Sequence, residues 1–262
     1  MSSEYFLLFL LSLFVIGAIA IHIISRKKER PDKINAWKKF FVYFFIIQGI
    51  FLCVIFVPVL FKAICVLVAV GGGTELFRLQ IGGFGSAQPP VSDVAQPPVV
   101  ERSRNVRWPR FCLYFTAYLI FATLFVFFSF QSVELLILTL FAVCMFDAFS
   151  QLSGQLFGKR KIAPVISPNK TLGGLIGGTI MAVLMGIIAN YHSGFGLPLV
   201  IILILAVIAA SFAGDLLASY VKRQYGVKDY SSLLPGHGGI LDRFDSLIVA
   251  GAVIVLINFI WL

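Results

Sequence analysis

Between Gly214 and Asp245 the chain reads GDLLASYVKRQYGVKDYSSLLPGHGGILDRFD. This places four carboxylates (Asp215, Asp229, Asp242, Asp245) and four cations (Lys222, Arg223, Lys228, Arg243) between two strongly apolar runs. Polar groups this dense beside apolar segments are costly unless they pair, bind metal or face water. Asp242 and Asp245 stand three residues apart, so a helix beginning near Ile240 puts both on one face. Two carboxylates at that spacing repel unless a cation sits between them. A hard divalent cation such as Mg²⁺ takes oxygen ligands and recruits one or two carboxylates plus substrate phosphates.

Upstream residues extend the same chemistry. Gly158-Lys159-Arg160-Lys161 is a cationic turn suited to phosphate oxygens. In Ser167-Pro168-Asn169-Lys170-Thr171, Pro168 and Asn169 predict a turn. A helix beginning near Lys170 would then aim free N–H groups at an anion, with Lys170 and Thr171 adding a charge and a hydroxyl. Asp147 closes one apolar run and Asp215 another, and a carboxylate at such a depth is a functional candidate. Glu75 ends a third run, as a site member or as the partner of Arg78 three residues on. Glu75, Asp147, Asp215, Asp242 and Asp245 are thus predicted at one membrane depth, as a metal–phosphate site would require.

The elements that must position these residues are membrane helices. Of 262 residues 59% are hydrophobic and 13% charged, against about 25% charged in soluble domains, and the mean hydropathy is +0.96. A spanning helix needs about 20 mostly apolar residues. The predicted fold is an all-α polytopic membrane protein with about eight spans, near 5–24, 40–58, 60–77, 111–130, 132–150, 172–190, 197–217 and 241–261. Residues 1–110 form an N-terminal part of about three helices plus a Pro/Gly-rich cytosolic loop over 81–110, and 111–262 a C-terminal catalytic part of about five. With the N-terminus outside, twenty of the twenty-one Lys and Arg residues fall in cytosolic loops, Lys62 being the exception. The net charge of +9 follows from that topology and from contact with anionic lipid. No nucleic-acid motif accompanies it.

Ala18-Ile19-Ala20 resembles a cleavage site, but the run lacks a basic start and is followed by Arg26-Lys27-Lys28, which reads as an uncleaved anchor. Cys53, Cys65, Cys112 and Cys144 are isolated and read as small buried hydrophobes. Gln88-Pro89-Pro90 and Gln96-Pro97-Pro98 mark a flexible loop of no stated role. Gly174, Gly178, Ala182 and Gly186 recur at fourth positions, a close-packing face between helices.

The string Ser219-x-x-Lys222-Arg223-x4-Lys228-Asp229-x5-Pro235-Gly236-His237-Gly238-Gly239-x-x-Asp242-Arg243-x-Asp245 resembles the signature of the phosphatidate cytidylyltransferases, the CDP-diacylglycerol synthases. Phe157-Gly158-Lys159 and the Ser167 to Thr171 block resemble that family's upstream elements, so the likeness runs from about Asp147 to Asp245. The chain departs from the family pattern at Gln151, where a Tyr is usual, and at Gly173, where an acidic residue is usual. The resemblance implies attack of a phosphatidate oxygen on the α-phosphorus of CTP, with pyrophosphate leaving. Lys222, Arg223, Asp242 and Arg243 would be catalytic, with Ser167, Lys170, Thr171, Lys228, Asp229, His237 and Asp147 binding substrate. Asp215, Asp242 and Asp245 would hold one or two Mg²⁺ ions. Asp229 could instead orient Lys222 or Lys228, Asp245 could pair with Arg243, and His237 could order its loop. The implied location is a bacterial inner membrane with the site facing the cytosol, and a homodimer is left open. Other readings are a different CTP-dependent lipid enzyme, of the polyprenol kinase or CDP-archaeol synthase type, and a transporter. The transporter would require polar residues near the bilayer midplane and matched halves, which this chain lacks.

Overall fold

The computed structural model describes residues 30–81, 108–190, 195–233 and 238–261, together with Ala18 and His22. The rest of the first expected span, most of the loop over 81–110, and His237 lie outside the described residues. The chain divides into two compact units, Met1–Phe61 and Lys62–Leu262.

Helix α1 runs from Arg30 to Phe56 and α2 from Pro58 to Ile81. Proline lacks an N–H and has a fixed φ, so Pro58 suits the first helical position after the break at Val57. Helix α3 spans Trp108–Phe128 and α4 spans Val133–Phe157, its first turn capped by Ser132. After a hairpin come α5 (Leu172–Asn190), α6 (Leu197–Gln224) and α7 (Leu241–Trp261).

This is a helical membrane protein. Among the described residues six helices, α2 to α7, are long and apolar enough to cross a bilayer. The predicted count of about eight is not confirmed, since the span expected at 5–24 lies outside the described residues apart from Ala18 and His22. The span expected at 40–58 falls on α1, where an apolar helical stretch covers Phe44–Phe56 among the described residues.

The all-α architecture carries one small addition, a two-stranded hairpin. Strands β1 (Lys161–Ala163) and β2 (Ser167–Thr171) pair antiparallel, Lys161 opposite Thr171 and Ala163 opposite Ser167. The helix expected from near Lys170 starts at Leu172 instead. Pro168 disfavours helix for the residue before it. The β-branched Ile162, Val165, Ile166 and Thr171 suit an extended chain.

Within the second unit, α5 lies against α4 and α6 through its small residues. Gly174, Gly178, Ala182 and Gly186 are buried. A Cβ on Gly174 would come within 2.7 Å of the Ser150 carbonyl oxygen, and one on Gly178 within 2.9 Å of that of Phe146. The opposite face presents Ile176, Ile180, Leu184 and Ile188 to the outside, an apolar surface suited to lipid. Helix α7 packs between α6 and α3. Gly214 lets α6 approach the Asp245 carbonyl, and Gly251 faces Phe125 and Phe128.

Candidate active site

Asp215 sits on α6 seven residues before Lys222, two turns along one face. Lys170 reaches it from the end of β2, with Nζ 2.6 Å from Asp215 Oδ2 and 4.5 Å from the centre of the Phe212 ring. Ser219, one turn on, donates from Oγ to Asp215 Oδ1 at 3.3 Å. Asp147 from α4 and Asp245 from α7 both interact electrostatically with Asp215. The close approach of α6 and α7 at Gly214 makes this possible. A Cβ there would stand 2.8 Å from the Asp245 carbonyl oxygen.

A second pair lies one turn beyond Ser219. Lys222 Nζ is 2.7 Å from Asp242 Oδ1, the two side chains being 10% and 3% exposed. The ammonium is also 5.3 Å from the Tyr230 ring centre. The other oxygen of Asp242 accepts from the backbone N–H groups of Tyr230 at 2.7 Å and Gly239 at 2.9 Å. Gly238, at φ 82°, is in the left-handed region, and a Cβ on it would press on Asp242 Oδ2. Asp242 therefore both holds Lys222 and ties residue 230 to the start of α7. The Tyr230 hydroxyl donates to the Ala218 carbonyl at 3.0 Å. Burial, with the nearby charges of Asp245 and Asp242, pushes this phenol well above its ordinary value and keeps it protonated.

Arg223 is committed to the backbone. Its Nε donates to the Ile166 carbonyl at 3.2 Å and Nη1 to that of Val227 at 2.8 Å. It thus ties the turn of the hairpin to the segment after α6. Thr171 caps α5, its Oγ1 accepting from Gly174 N at 3.1 Å, so one N–H of the expected phosphate cradle is already used. Ser167 is half-buried on β2, and Lys159, Arg160, Lys161, Lys228 and Asp229 are exposed. Asp229 does not orient Lys222, whose partner is Asp242. Arg243 follows Asp242 in the first turn of α7.

Glu75 turns to α7 rather than to Arg78. Its buried carboxylate accepts from Ser231 Oγ at 2.7 Å and from Ile240 N and Leu241 N at 2.9 Å each. Four helices and the hairpin thus bring Glu75, Asp147, Asp215, Asp242, Asp245, Lys170 and Lys222 to one end of the bundle. Sequence reasoning overlooked Tyr230 and Ser231, which no spacing rule marks. Ser219 carried a usable signal, since a hydroxyl four residues after an Asp on a helix lies beside it.

The carboxylates are oxygen donors of the kind a hard divalent cation takes, and Asp215 and Asp242 are here paired with Lys170 and Lys222. Among the described residues, no three His, Cys, Asp or Glu side chains form a metal-holding group by themselves.

A model of the cytidylyltransferase family matches residues 91–261. The phosphatidate cytidylyltransferase of Staphylococcus haemolyticus (strain JCSC1435) is 46% identical over 106 residues, 40% of this chain and 41% of that protein. That of Rickettsia prowazekii (strain Madrid E) is 40% identical over 148 residues, 52% of this chain and 64% of the relative. That of Haemophilus influenzae (strain ATCC 51907) is 46% identical over 115 residues, 40% of this chain and 38% of the relative. The matched region spans between 38% and 64% of the length of these curated relatives.

Proposed function

The chain belongs to the cytidylyltransferase family, and from that premise we propose that it transfers the cytidylyl group of CTP to phosphatidate, forming CDP-diacylglycerol. A phosphate oxygen of phosphatidate forms a bond to the α-phosphorus of CTP. The bond from that phosphorus to the bridging oxygen breaks, and pyrophosphate leaves with the electron pair. The observation that carries this reading is the pair of lysine–carboxylate contacts, Lys170 with Asp215 and Lys222 with Asp242, at one end of an apolar bundle. Such an arrangement brings together the two kinds of group that a triphosphate and a phosphomonoester need. The names of the relatives favour phosphatidate as the lipid.

Asp215, Asp242 and Asp245 would hold a divalent cation such as Mg²⁺, which when bound neutralises phosphate charge and stabilises the leaving pyrophosphate. Lys170 and Lys222 are placed to exchange their carboxylate partners for phosphate oxygens. The nucleophile is already an anion, so orienting it matters more than removing a proton. Arg223 holds the hairpin beside α6, and Thr171 fixes the start of α5. Arg243 is assigned a catalytic role beside Lys222, and Lys228, Asp229, Ser167, Asp147 and His237 are assigned to substrate binding. In this reading the catalytic part is residues 111–262, in a bacterial inner membrane, with the site at the cytosolic face and the N-terminus outside.

Purified protein in detergent or nanodiscs, given Mg²⁺, CTP and a panel of lipid phosphates, tests the proposal. CDP-diacylglycerol and pyrophosphate should form with phosphatidate. Product with a polyprenol or an ether-linked archaeal lipid and none with phosphatidate would redirect the assignment, and no CTP-dependent product at all would end it. Asp215→Asn and Asp242→Asn should each insert normally yet form almost no product. Near wild-type turnover in both would remove them from the metal role.

A further inference from the structure

We propose that Glu75 is a positioning residue for the reaction, clamping Ser231 and the head of α7 so that Asp242 stays seated on Lys222. The inference rests on the cytidylyl-transfer reading above and adds to it a residue from outside the region that matches the family model, residues 91–261.

Three consecutive N–H groups open α7, and two carboxylates divide them. Gly239 N donates to Asp242 Oδ2 at 2.9 Å, while Ile240 N and Leu241 N donate to Glu75 at 2.9 Å each. A helix start leaves such donors without intrahelical partners, and its dipole favours negative charge there. Glu75 also accepts from Ser231 Oγ at 2.7 Å, so one buried carboxylate, 5% exposed, joins the segment after Tyr230 to the start of α7. The fit is close. A Cβ on Gly239 would stand within 2.6 Å of both Glu75 oxygens, so the residue there is glycine for lack of room.

Helix α2 is itself held in place to present this group. Tyr118 of α3 donates from its hydroxyl to the Ala69 carbonyl at 2.6 Å. Tyr225 donates to Gln80 Oε1 at 2.9 Å. Gly71, one turn before Glu75, makes space for Ile240, and a Cβ there would lie 2.7 Å from Ile240 Cδ1. Among the described residues Glu75 bonds Ser231, Ile240 and Leu241 rather than the phosphate-facing groups, and it acts through Asp242. Without it, Ile240 N and Leu241 N lose their acceptor, the first turn of α7 opens, and Asp242 no longer sits square to Lys222.

Glu75→Gln keeps the size of the side chain but replaces one acceptor oxygen with an NH₂ that faces backbone donors. The expected result is hydrogen exchange at residues 239–243 about tenfold faster, as loss of a charge-assisted hydrogen bond implies, with exchange in α4 and α5 unchanged. Turnover with CTP and phosphatidate should fall about tenfold or more, with KM for CTP within about twofold, because alignment rather than binding is lost. Ser231→Ala should move both readouts the same way by less, and it carries the test if Glu75→Gln fails to insert. Unchanged exchange at residues 239–243 overturns the clamp. Faster exchange with unchanged turnover overturns its part in catalysis. If wild-type protein forms no CDP-diacylglycerol, the functional reading falls, and exchange alone decides whether the clamp exists.

Discussion

Lys170 and Lys222 are each held between a carboxylate and an aromatic ring, Asp215 with Phe212 and Asp242 with Tyr230. The two settings differ in burial, and so in what each lysine does for the fold. The Lys222 and Asp242 side chains are 10% and 3% exposed, so removing the ammonium strands a buried charge, at a cost of about 3 kcal/mol or more. The Lys170 and Asp215 side chains are 17% and 35% exposed, where an ion pair contributes about 0–1 kcal/mol. Lys222→Met should therefore lower both the thermal midpoint and product formation, whereas Lys170→Met should abolish product formation with a midpoint close to wild type. Thermal unfolding followed in detergent, beside the CTP assay, separates the two. A Lys170 variant as unstable as the Lys222 variant would show that burial has been misjudged, and one that still turned over CTP would remove Lys170 from the site.

At the scale of elements, the contact of α4 with α5 is set by residues without side chains. The Gly174, Gly178, Ala182, Gly186 stripe was legible from its fourth-position recurrence, because a helix repeats its face at that interval. What stands opposite each glycine was not. A Cβ on Gly174 would meet the Ser150 carbonyl oxygen, part of the rigid backbone of α4, whereas one on Gly186 would meet Cδ1 at the far end of the Ile204 side chain. Gly174→Ala should accordingly destabilise by about 1–3 kcal/mol, and Gly186→Ala, whose neighbour can shift its terminal methyl, by less. Thermal midpoints of the two variants check this, and equal losses would sink the distinction. The hairpin was hidden for a related reason. Pro168 and Asn169 do mark a turn, but the pairing of Lys161 with Thr171 depends on two segments meeting, which no periodicity within either one records. Glu75 and Leu241 lie 166 residues apart. Their contact belongs to the packed bundle, which spacing within either segment does not record.

For the whole molecule, the remaining question is which end of the bundle faces the cytosol. The hairpin end gathers Lys159, Arg160, Lys161, Lys170, Lys222, Arg223, Lys228 and Arg243, the excess expected of a cytosolic face. Lys62, the one cation expected on the other side, stands at the other end of α4, its Nζ 4.4 Å from the centre of the Phe130 ring. Phe130 lies in the turn between α3 and α4, beside Gln131, which accepts from Asn258 near the end of α7. The two ends are joined by α4, whose 25 residues extend about 37 Å. Residues at its two ends must therefore lie on opposite sides of a bilayer. Asn169 on β2 and Glu134 in the first turn of α4 are both exposed, and each can carry a single cysteine in a background without Cys53, Cys65, Cys112 and Cys144. A membrane-impermeant maleimide should label Asn169→Cys only when the cytosolic face is accessible and Glu134→Cys only from the other face. Labelling in the reverse sense would put the carboxylate–lysine cluster on the side away from cytosolic CTP, and cytidylyl transfer at that cluster could then not be its cellular function.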